Sequence, residues 1–239
     1  VAVDENGSMH QLLAPSLQFL LGTDQFGRDV LSRIMAGSTS LVLVAGSGTL
    51  IGITAGAIIG MGGAYRGGWT DEFLMRVMDG LMSFPSLLMA LLVISTLGPN
   101  AIFIVATVGI VTIPGVARVM RSTTLSLKEQ EFVQSAVLRG ESSAYIIFRE
   151  ILPNTLPILG VELSVRLSYS ILIVASLGFL GLGVQPPSPD WGLMISQGRQ
   201  FLASDPWVAI APSAAVASLV VGINLLTDGV RQARNLPKE

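Results

Sequence analysis

Long apolar runs, separated by short polar or glycine- and proline-rich stretches, dominate the chain. A helix needs about 20 predominantly apolar residues to cross the roughly 30 Å hydrocarbon core of a bilayer. Inside lipid, a crossing segment must also satisfy its own backbone hydrogen bonds, which a helix does. The pattern therefore predicts an all-α, polytopic membrane helix bundle. The five predicted spans are residues 39–65, 73–97, 101–120, 155–182 and 208–226.

A polar stretch at residues 131–153 interrupts the apolar second half and is predicted to contain two short helices. Ser126 and Glu129 fit a capping box, so the first helix is expected over residues 127–139. Gly140 stands where a left-handed residue would end that helix. Its apolar stripe is expected to consist of Phe132, Val133, Ala136 and Val137.

The second short helix is predicted over residues 142–150, with Ser142 or Ser143 as its N-cap. It carries an apolar block from Tyr145 to Phe148. On pattern alone, the two helices either lie on lipid headgroups or offer a docking surface to another protein.

Glycines in the first predicted span recur every four residues and therefore line one helix face. Small residues on one face let a second helix approach closely, backbone to backbone. We therefore predict a helix-packing face made of Gly48, Gly52, Gly56 and Gly60.

Ionisable residues inside the predicted spans are functional candidates, because charge at membrane depth is costly. Asp79 lies three residues from Arg76, and a structural ion pair or interhelical contact is favoured over substrate binding. Pro85 predicts a kink, either static or used by a gate. Glu162 and Arg166 lie four residues apart, so they either neutralise each other within the bundle or contact a neighbouring subunit.

Composition narrows the classes of protein to which this chain can belong. Charged residues make up 13% of the chain, against about 25% in soluble domains, and no basic stripe suggests nucleic acid. Cysteine is absent and His10 is the only histidine, so the sequence offers no His/Cys metal site. It also has no G-x-x-x-x-G-K-[ST] phosphate-binding loop and no Ser-His-Asp arrangement. We expect a protein that is not an enzyme and holds no cofactor.

The distribution of Lys and Arg predicts the orientation, since positive residues collect on the cytoplasmic side. One side would hold ten of them: Arg66, Arg76, Arg118, Arg121, Lys128, Arg139, Arg149, Arg231, Arg234 and Lys238. The other side would hold three: Arg28, Arg33 and Arg199. The polar stretch is therefore expected in the cytoplasm and residues 1–38 outside.

Two segments are expected on the outer side of the membrane. Residues 1–38 carry Asp24, Arg28 and Asp29, for which a local salt-bridged turn is favoured over a substrate role. Residues 183–207 are rich in proline and glycine and include Trp191, which suits an ordered lip near the membrane interface.

The polar stretch resembles the cytoplasmic EAA loop of ABC-importer permease subunits, written E-A-A-x-x-x-G and followed after nine residues by I-x-L-P. The corresponding residues are Gln134, Ser135 and Ala136, then Gly140, Glu150 and Leu152-Pro153. Gln134, Ser135 and Glu150 depart from the generic pattern, while the spacing from the glycine to the proline is kept.

Further short motifs are similar to the dipeptide, oligopeptide and nickel branch of this family, and the resemblance extends from about residue 20 to about residue 231. They are Leu21-Gly22-Thr23-Asp24, Gly27-Arg28-Asp29, Ile147-Phe148-Arg149, Ile151-Leu152-Pro153-Asn154, Phe179-Leu180-Gly181-Leu182-Gly183 and Gln185-Pro186-Pro187.

The resemblance implies a type I ABC importer permease, which forms half of the translocation path for di- or oligopeptides. Nickel or glutathione import is the alternative within the family, and a secondary transporter is the alternative from another class. A sixth helix is expected upstream of residue 1. The implied organisation is an extracytoplasmic segment 1–38 and a permease domain 39–239 with a cytoplasmic coupling loop 122–153.

The implied partners are a second permease subunit in a heterodimer, two ATPases that carry ATP and Mg, an extracytoplasmic solute-binding protein and the lipid bilayer of the cell membrane. ATPase coupling is assigned to Glu131, Phe132, Val133, Gln134, Ser135, Ala136, Arg139, Gly140, Ser142, Tyr145 and Arg149. Contact with the binding protein is assigned to Asp24, Arg28, Asp29 and Trp191.

Overall fold

The computed structural model describes the backbone of residues 11–235 and the side chains of residues 11–229. His10 and the end of the predicted polar tail, including Lys238, lie outside the described residues. Within them every regular element is helical, so the all-α prediction is confirmed. The helices are α1 (Val30–Arg66), α2 (Gly68–Met82), α3 (Ser86–Leu97), α4 (Ala101–Lys128), α5 (Glu131–Leu138), α6 (Ser143–Tyr145), a π-helical segment (Ile146–Ile151), α7 (Leu152–Phe179), α8 (Trp191–Gly198), a 3-10 turn (Arg199–Phe201) and α9 (Trp207–Asn235).

Four helices in this part of the chain are long and apolar enough to cross a membrane. They are Val30–Arg66, Ala101–Lys128, Ser143–Phe179 and Trp207–Gly229. They correspond to the first, third, fourth and fifth predicted spans. The first begins earlier than predicted, because Asp29 caps α1 by accepting a hydrogen bond from the Ser32 backbone N–H at 2.8 Å.

The predicted span at 73–97 consists of two helices, α2 and α3, rather than one kinked helix. α2 and α3 are bent by 81° relative to each other at the break that precedes Ser86. Pro85 has no backbone N–H to continue α2, and its ring disfavours the helical conformation at Phe84. Pro85 therefore breaks the span rather than kinking it. The bent pair counts as a fifth crossing only when its two halves are taken together.

α1 packs against α4 along the predicted glycine face. A Cβ atom added to Gly52 would lie 2.5 Å from the Thr112 Cβ, and one added to Gly56 would lie 2.8 Å from the Ile113 carbonyl oxygen. Real Cβ atoms do not approach so closely, so the two helices can meet only where α1 has no side chain. The prediction of a packing face at Gly48, Gly52, Gly56 and Gly60 is confirmed.

Two hydrophobic cores divide the bundle along its length. One core joins the first halves of α1 and α4 to α3, the second half of α7, α8 and α9, and we call this end the α8 end. The other joins the second halves of α1 and α4 to α5 and the π-helical segment, and we call it the loop end. The loop end thus places the α1–α2 turn and the polar stretch on the same side, in agreement with the charge distribution.

Candidate functional site

The first short helix of the polar stretch begins later than the sequence predicts. α4 continues to Lys128, so Ser126 lies inside that helix and cannot cap a new one. α5 then starts at Glu131, after Gln130, which makes no side-chain capping bond. The capping-box prediction was wrong because the preceding turns of α4 already supply the backbone partners that a cap would have provided.

Gly140 ends α5 as predicted. Its φ of +77° is in the left-handed region, and its backbone N–H donates to the Val137 carbonyl oxygen at 2.9 Å. The Glu141 N–H reaches back to the Ala136 carbonyl oxygen at 3.2 Å, which satisfies a second free carbonyl at the helix end. Ser142 is the N-cap of α6, since its hydroxyl accepts a hydrogen bond from the backbone N–H three residues later at 3.2 Å.

The predicted second helix is not separate from the membrane span behind it. α6, the π-helical segment and α7 form one continuous helix from Ser143 to Phe179. Pro153 would clash with the carbonyl four residues earlier in a regular helix. The π-helical turn widens the helix just before it, with the Leu152 N–H donating to the Ile147 carbonyl oxygen five residues back. Of the two short helices predicted in the polar stretch, α5 alone is separate from a membrane span.

α5 is held to the bundle by one face and exposes the other. Val133 and Ala136 are fully buried in the loop-end core, where α5 packs against the π-helical segment and α4. Phe132 and Val137, which the sequence pattern places on the same stripe, are instead exposed, and Leu138 is 88% exposed. The predicted stripe is thus split between an inner face that docks on this chain and an outer apolar face without cover.

The polar residues of the polar stretch are divided in the same way between contacts with this chain and an exposed surface. Arg139, just before the turn at Gly140, forms ion pairs with two residues that follow the turn. Its Nε lies 3.7 Å from Glu141 Oε1, and its Nη2 lies 3.4 Å from Glu150 Oε1. Gln134 donates from its side-chain amide to the Glu129 carbonyl oxygen at 3.1 Å. The remaining assigned polar and aromatic residues are exposed: Glu131, Ser135, Ser142, Tyr145 and Arg149.

Two contacts that the sequence did not reveal tie the base of the loop to α1 and α2. Arg121 of α4 binds both carboxylate oxygens of Asp71 in α2, with nitrogen–oxygen distances from 2.6 to 3.0 Å. Lys128 donates from Nζ to the Tyr65 carbonyl oxygen at 2.8 Å. The charged residues near the helix ends were the only sign of these contacts in the sequence. Their partners lie 50 and 63 positions away, so local spacing cannot identify them.

Comparison with known proteins identifies the architecture that carries this loop. Residues 48–234 match the family model of binding-protein-dependent transport system inner membrane components. The chain belongs to this family. It is therefore a permease subunit of an ABC importer and a multi-pass inner membrane protein.

Curated relatives cover most of the permease. A dipeptide transport system permease protein, DppC, of Alkalihalophilus pseudofirmus is 39% identical over 233 residues, which are 96% of this chain and 75% of the relative. A glutathione transport system permease protein, GsiD, of Pectobacterium atrosepticum is 41% identical over 220 residues, which are 92% of this chain and 73% of the relative.

The fold of the permease also matches solved structures. A chain of the MetNI methionine ABC transporter in an inward-facing conformation superposes with a TM-score of 0.65, covering 85% of this chain and 95% of that one. A second crystal form of the same transporter gives a TM-score of 0.62. At 16% and 17% sequence identity, these likenesses concern the fold.

At the α8 end, Asp24 and Arg28 form the predicted salt-bridged turn, whereas Asp29 caps α1 and forms no ion pair within the described residues. Asp24 is 2% exposed and pairs with Arg28, at 2.8 Å, and with Arg33. Trp191 is 5% exposed, and its indole N–H donates to the Ile34 carbonyl oxygen at 2.9 Å. Asp24 and Trp191 thus hold parts of the permease together rather than offering a free surface.

Asp79 of α2 forms an ion pair between helices. Its carboxylate lies 2.6 Å from an Nη nitrogen of Arg118 in α4, which confirms an interhelical contact. Its sequence neighbour Arg76 pairs instead with Glu72, one turn earlier in α2, at 2.7 Å. The pairing of Asp79 therefore links two helices rather than two turns of one helix.

Glu162 and Arg166 form a pair within α7, which is one of the two alternatives that their spacing left open. Arg166 Nε lies 2.9 Å from Glu162 Oε2, and both side chains are partly buried. The two charges thus neutralise each other along one helix face, as their spacing of four residues indicates.

Proposed function

We propose that this permease forms half of the translocation path of an importer for di- or oligopeptides. It would act with a second permease subunit, two cytoplasmic ATPases that bind ATP and Mg, and an extracytoplasmic binding protein. The identity of 39% to a dipeptide permease over 96% of the chain supports the substrate class. Glutathione is the second candidate substrate, since 41% identity to a glutathione permease supports it equally.

We infer that α5 is the helix that receives force from an ATPase. The observation that carries this inference is the division of its faces. Val133 and Ala136 attach α5 to the loop-end core, while Phe132, Val137 and Leu138 are left exposed. An apolar surface of this kind on a segment outside the spans suits a protein partner. The ATPase contact would therefore involve Phe132 but not the buried Val133 and Ala136.

Displacement of α5 would reach the spans through two routes. The first is the loop-end core, which contains Val133 and Ala136 together with Met61 of α1 and Met120 of α4. The second is the turn at Gly140, which leads directly into the continuous helix Ser143–Phe179. Close-packed cores transmit displacement because they have few voids to absorb it.

The substitution Leu138→Asp tests this role, because Leu138 is almost fully exposed and makes little contribution to the fold. In the reconstituted transporter we expect the introduced carboxylate to weaken copurification of the ATPases and to abolish peptide uptake, while the permease still inserts. Leu138→Met is the matched control and should retain both. Wild-type ATPase binding and uptake in the aspartate variant would contradict the proposed coupling surface.

A further inference from the structure

The break between α2 and α3 is exposed where a spanning segment should be covered. Ser83, Phe84, Pro85 and Ser86 are all exposed, and Pro85 provides no side-chain cap for α3. Irregular backbone at membrane depth is tolerated only where it is buried in protein or lines a water-filled cavity. This face of the permease is therefore turned toward a partner subunit or an aqueous path rather than toward lipid.

Arg166 lies in a cleft beside this break. The cleft has a volume of about 110 Å³. It is formed by the end of α2, the break, the start of α3, the middle of α4 and Arg166 of α7, with Phe84, Ser86, Pro114 and Gly115 among its lining residues. A proline-broken span, a proline within α4 and a charged side chain thus meet at one place.

The guanidinium of Arg166 is held from one side and is free on the other. Its Nε donates to Glu162 Oε2 at 2.9 Å, and within residues 11–229 neither Nη nitrogen has a hydrogen-bond acceptor. A Cβ atom on Gly115 would lie 2.6 Å from both Nη nitrogens, so the guanidinium occupies space that only glycine leaves open. The Arg166 side chain remains 27% exposed.

We propose that Arg166 is a substrate-contact residue that receives the carboxylate of a passing peptide on its two Nη nitrogens. A planar guanidinium edge matches a carboxylate with two parallel hydrogen bonds. Glu162 acts as the positioning residue, because it fixes Nε and leaves the other edge of the fork available. The negative charge of Glu162 also weakens the attraction between Arg166 and the peptide carboxylate. A translocation path requires this, since a site that binds its substrate too tightly does not release it. This inference rests on the proposed transport of peptides.

Two substitutions remove the contact in different ways. Arg166→Gln deletes the charge and the fork. Gly115→Ala keeps the charge but places a methyl group where the guanidinium lies, so the flexible arginine must move out of the cleft. Gly160→Ala is the matched control, because it adds the same methyl group to α7 at a position where nothing lies within 4 Å.

The experiment compares ATP-driven uptake of alanyl-alanine with uptake of its C-terminal amide in proteoliposomes that contain the complete transporter. The binding protein is kept saturated with either peptide, and its affinity for each is measured separately. Bidentate hydrogen bonds to a charged group contribute strongly to binding. We therefore expect the wild type and Gly160→Ala to take up the free acid about tenfold faster than the amide. Arg166→Gln and Gly115→Ala should transport the two peptides at similar rates and should keep ATP hydrolysis that the loaded binding protein stimulates.

Two results would overturn the proposal. One is an unchanged preference for the free acid in both variants. The other is an equal fall in the uptake of both peptides, together with loss of the ATP hydrolysis that the loaded binding protein stimulates. That result is expected if the ion pair of Arg166 with Glu162 has a purely structural role. A wild-type transporter that moves neither peptide nor glutathione would instead contradict the proposed function, whatever the variants do.

Discussion

Arg121 and Asp71 join α4 to α2 at the loop end through a two-point contact, with Arg121 Nε 2.8 Å from Oδ1 and Nη2 2.6 Å from Oδ2 of Asp71. The Asp71 side chain is only 11% exposed, whereas that of Arg121 is 36% exposed. The contact therefore holds in place the end of α4 that leads into the polar stretch.

We expect Arg121→Ala to lower the free energy of unfolding by about 1 kcal/mol, because the loss of a two-point charged bond is partly offset by solvent screening. Thermal unfolding of the detergent-solubilised permease measures this. Arg76→Ala is the control, since its pair with Glu72 is largely exposed and should contribute much less. Equal effects of the two substitutions would contradict the structural importance of the Asp71 contact.

The contact between α1 and α4 predicts a position-specific effect of one methyl group. Gly52→Ala should destabilise the permease by about 1–3 kcal/mol, as overpacking does, because the new Cβ would meet Thr112 at 2.5 Å. Gly46→Ala lies in the same helix with nothing within 4 Å and should be neutral or slightly stabilising. Size-exclusion chromatography after stepwise heating compares the two, and similar behaviour would contradict the close approach.

The left-handed turn at Gly140 predicts a backbone effect rather than a packing effect. A Cβ there meets nothing within 4 Å, but a β-branched residue is strained at a φ of +77°. We expect Gly140→Val to insert normally yet to uncouple ATP hydrolysis from uptake, because it reorients α5 relative to the helix that begins at Ser143. Gly140→Asn, which tolerates this conformation, should retain uptake. Normal uptake by the valine variant would count against α5 as the coupling element.

Burial raises the pKa of the Asp190 carboxyl, although backbone N–H groups of Leu193, Val184 and Gly192 oppose the shift. The folded state then binds the proton more tightly than the unfolded state. The contribution of this group to the free energy of unfolding is therefore greatest below the ordinary Asp pKa of about 3.9 and falls as the pH rises through the raised pKa. Burial also raises the pKa of Asp205, which acts in the same direction.

Asp190→Asn removes this titration while it keeps an oxygen to cap α8 at the Leu193 N–H. We expect its thermal unfolding temperature to depend less on pH than that of the wild type, and the double variant with Asp205→Asn to depend least. An unchanged pH profile in the double variant would show that neither carboxyl is protonated preferentially in the folded permease.

Local chemistry explains which parts of the fold the sequence could predict. The glycine spacing of α1 and the turn at Gly140 depend on neighbours within a few residues, and both were predicted correctly. The spacing of Glu162 and Arg166 likewise allowed for the pair that forms within α7, which was one of two alternatives left open. Hydropathy also located the four long crossings. It could not distinguish a kink from a break at Pro85, because both interrupt the same apolar run.

The candidate site was predicted less completely, because its geometry depends on contacts between distant segments. The pattern of α5 predicted one apolar stripe, but packing against the π-helical segment and α4 buries Val133 and Ala136 and leaves Phe132 exposed. Similarly, Asp24 and Trp191 look like surface residues in sequence, while packing at the α8 end buries both. Long-range contacts such as that of Lys128 with α1 depend on the assembled bundle.

The π-helical segment Ile146–Ile151 sets the rotational phase of the entire helix beyond it. One additional residue in a turn shifts the later residues by about 100° around the helix axis, since each residue of an α-helix advances by that angle. This shift lets Ile146 and Ile151, five positions apart, both face the same core with almost no exposure. Deleting one residue there would rotate all of α7, so that a different side of that helix, and with it a different set of side chains, would meet α1, α4 and α9.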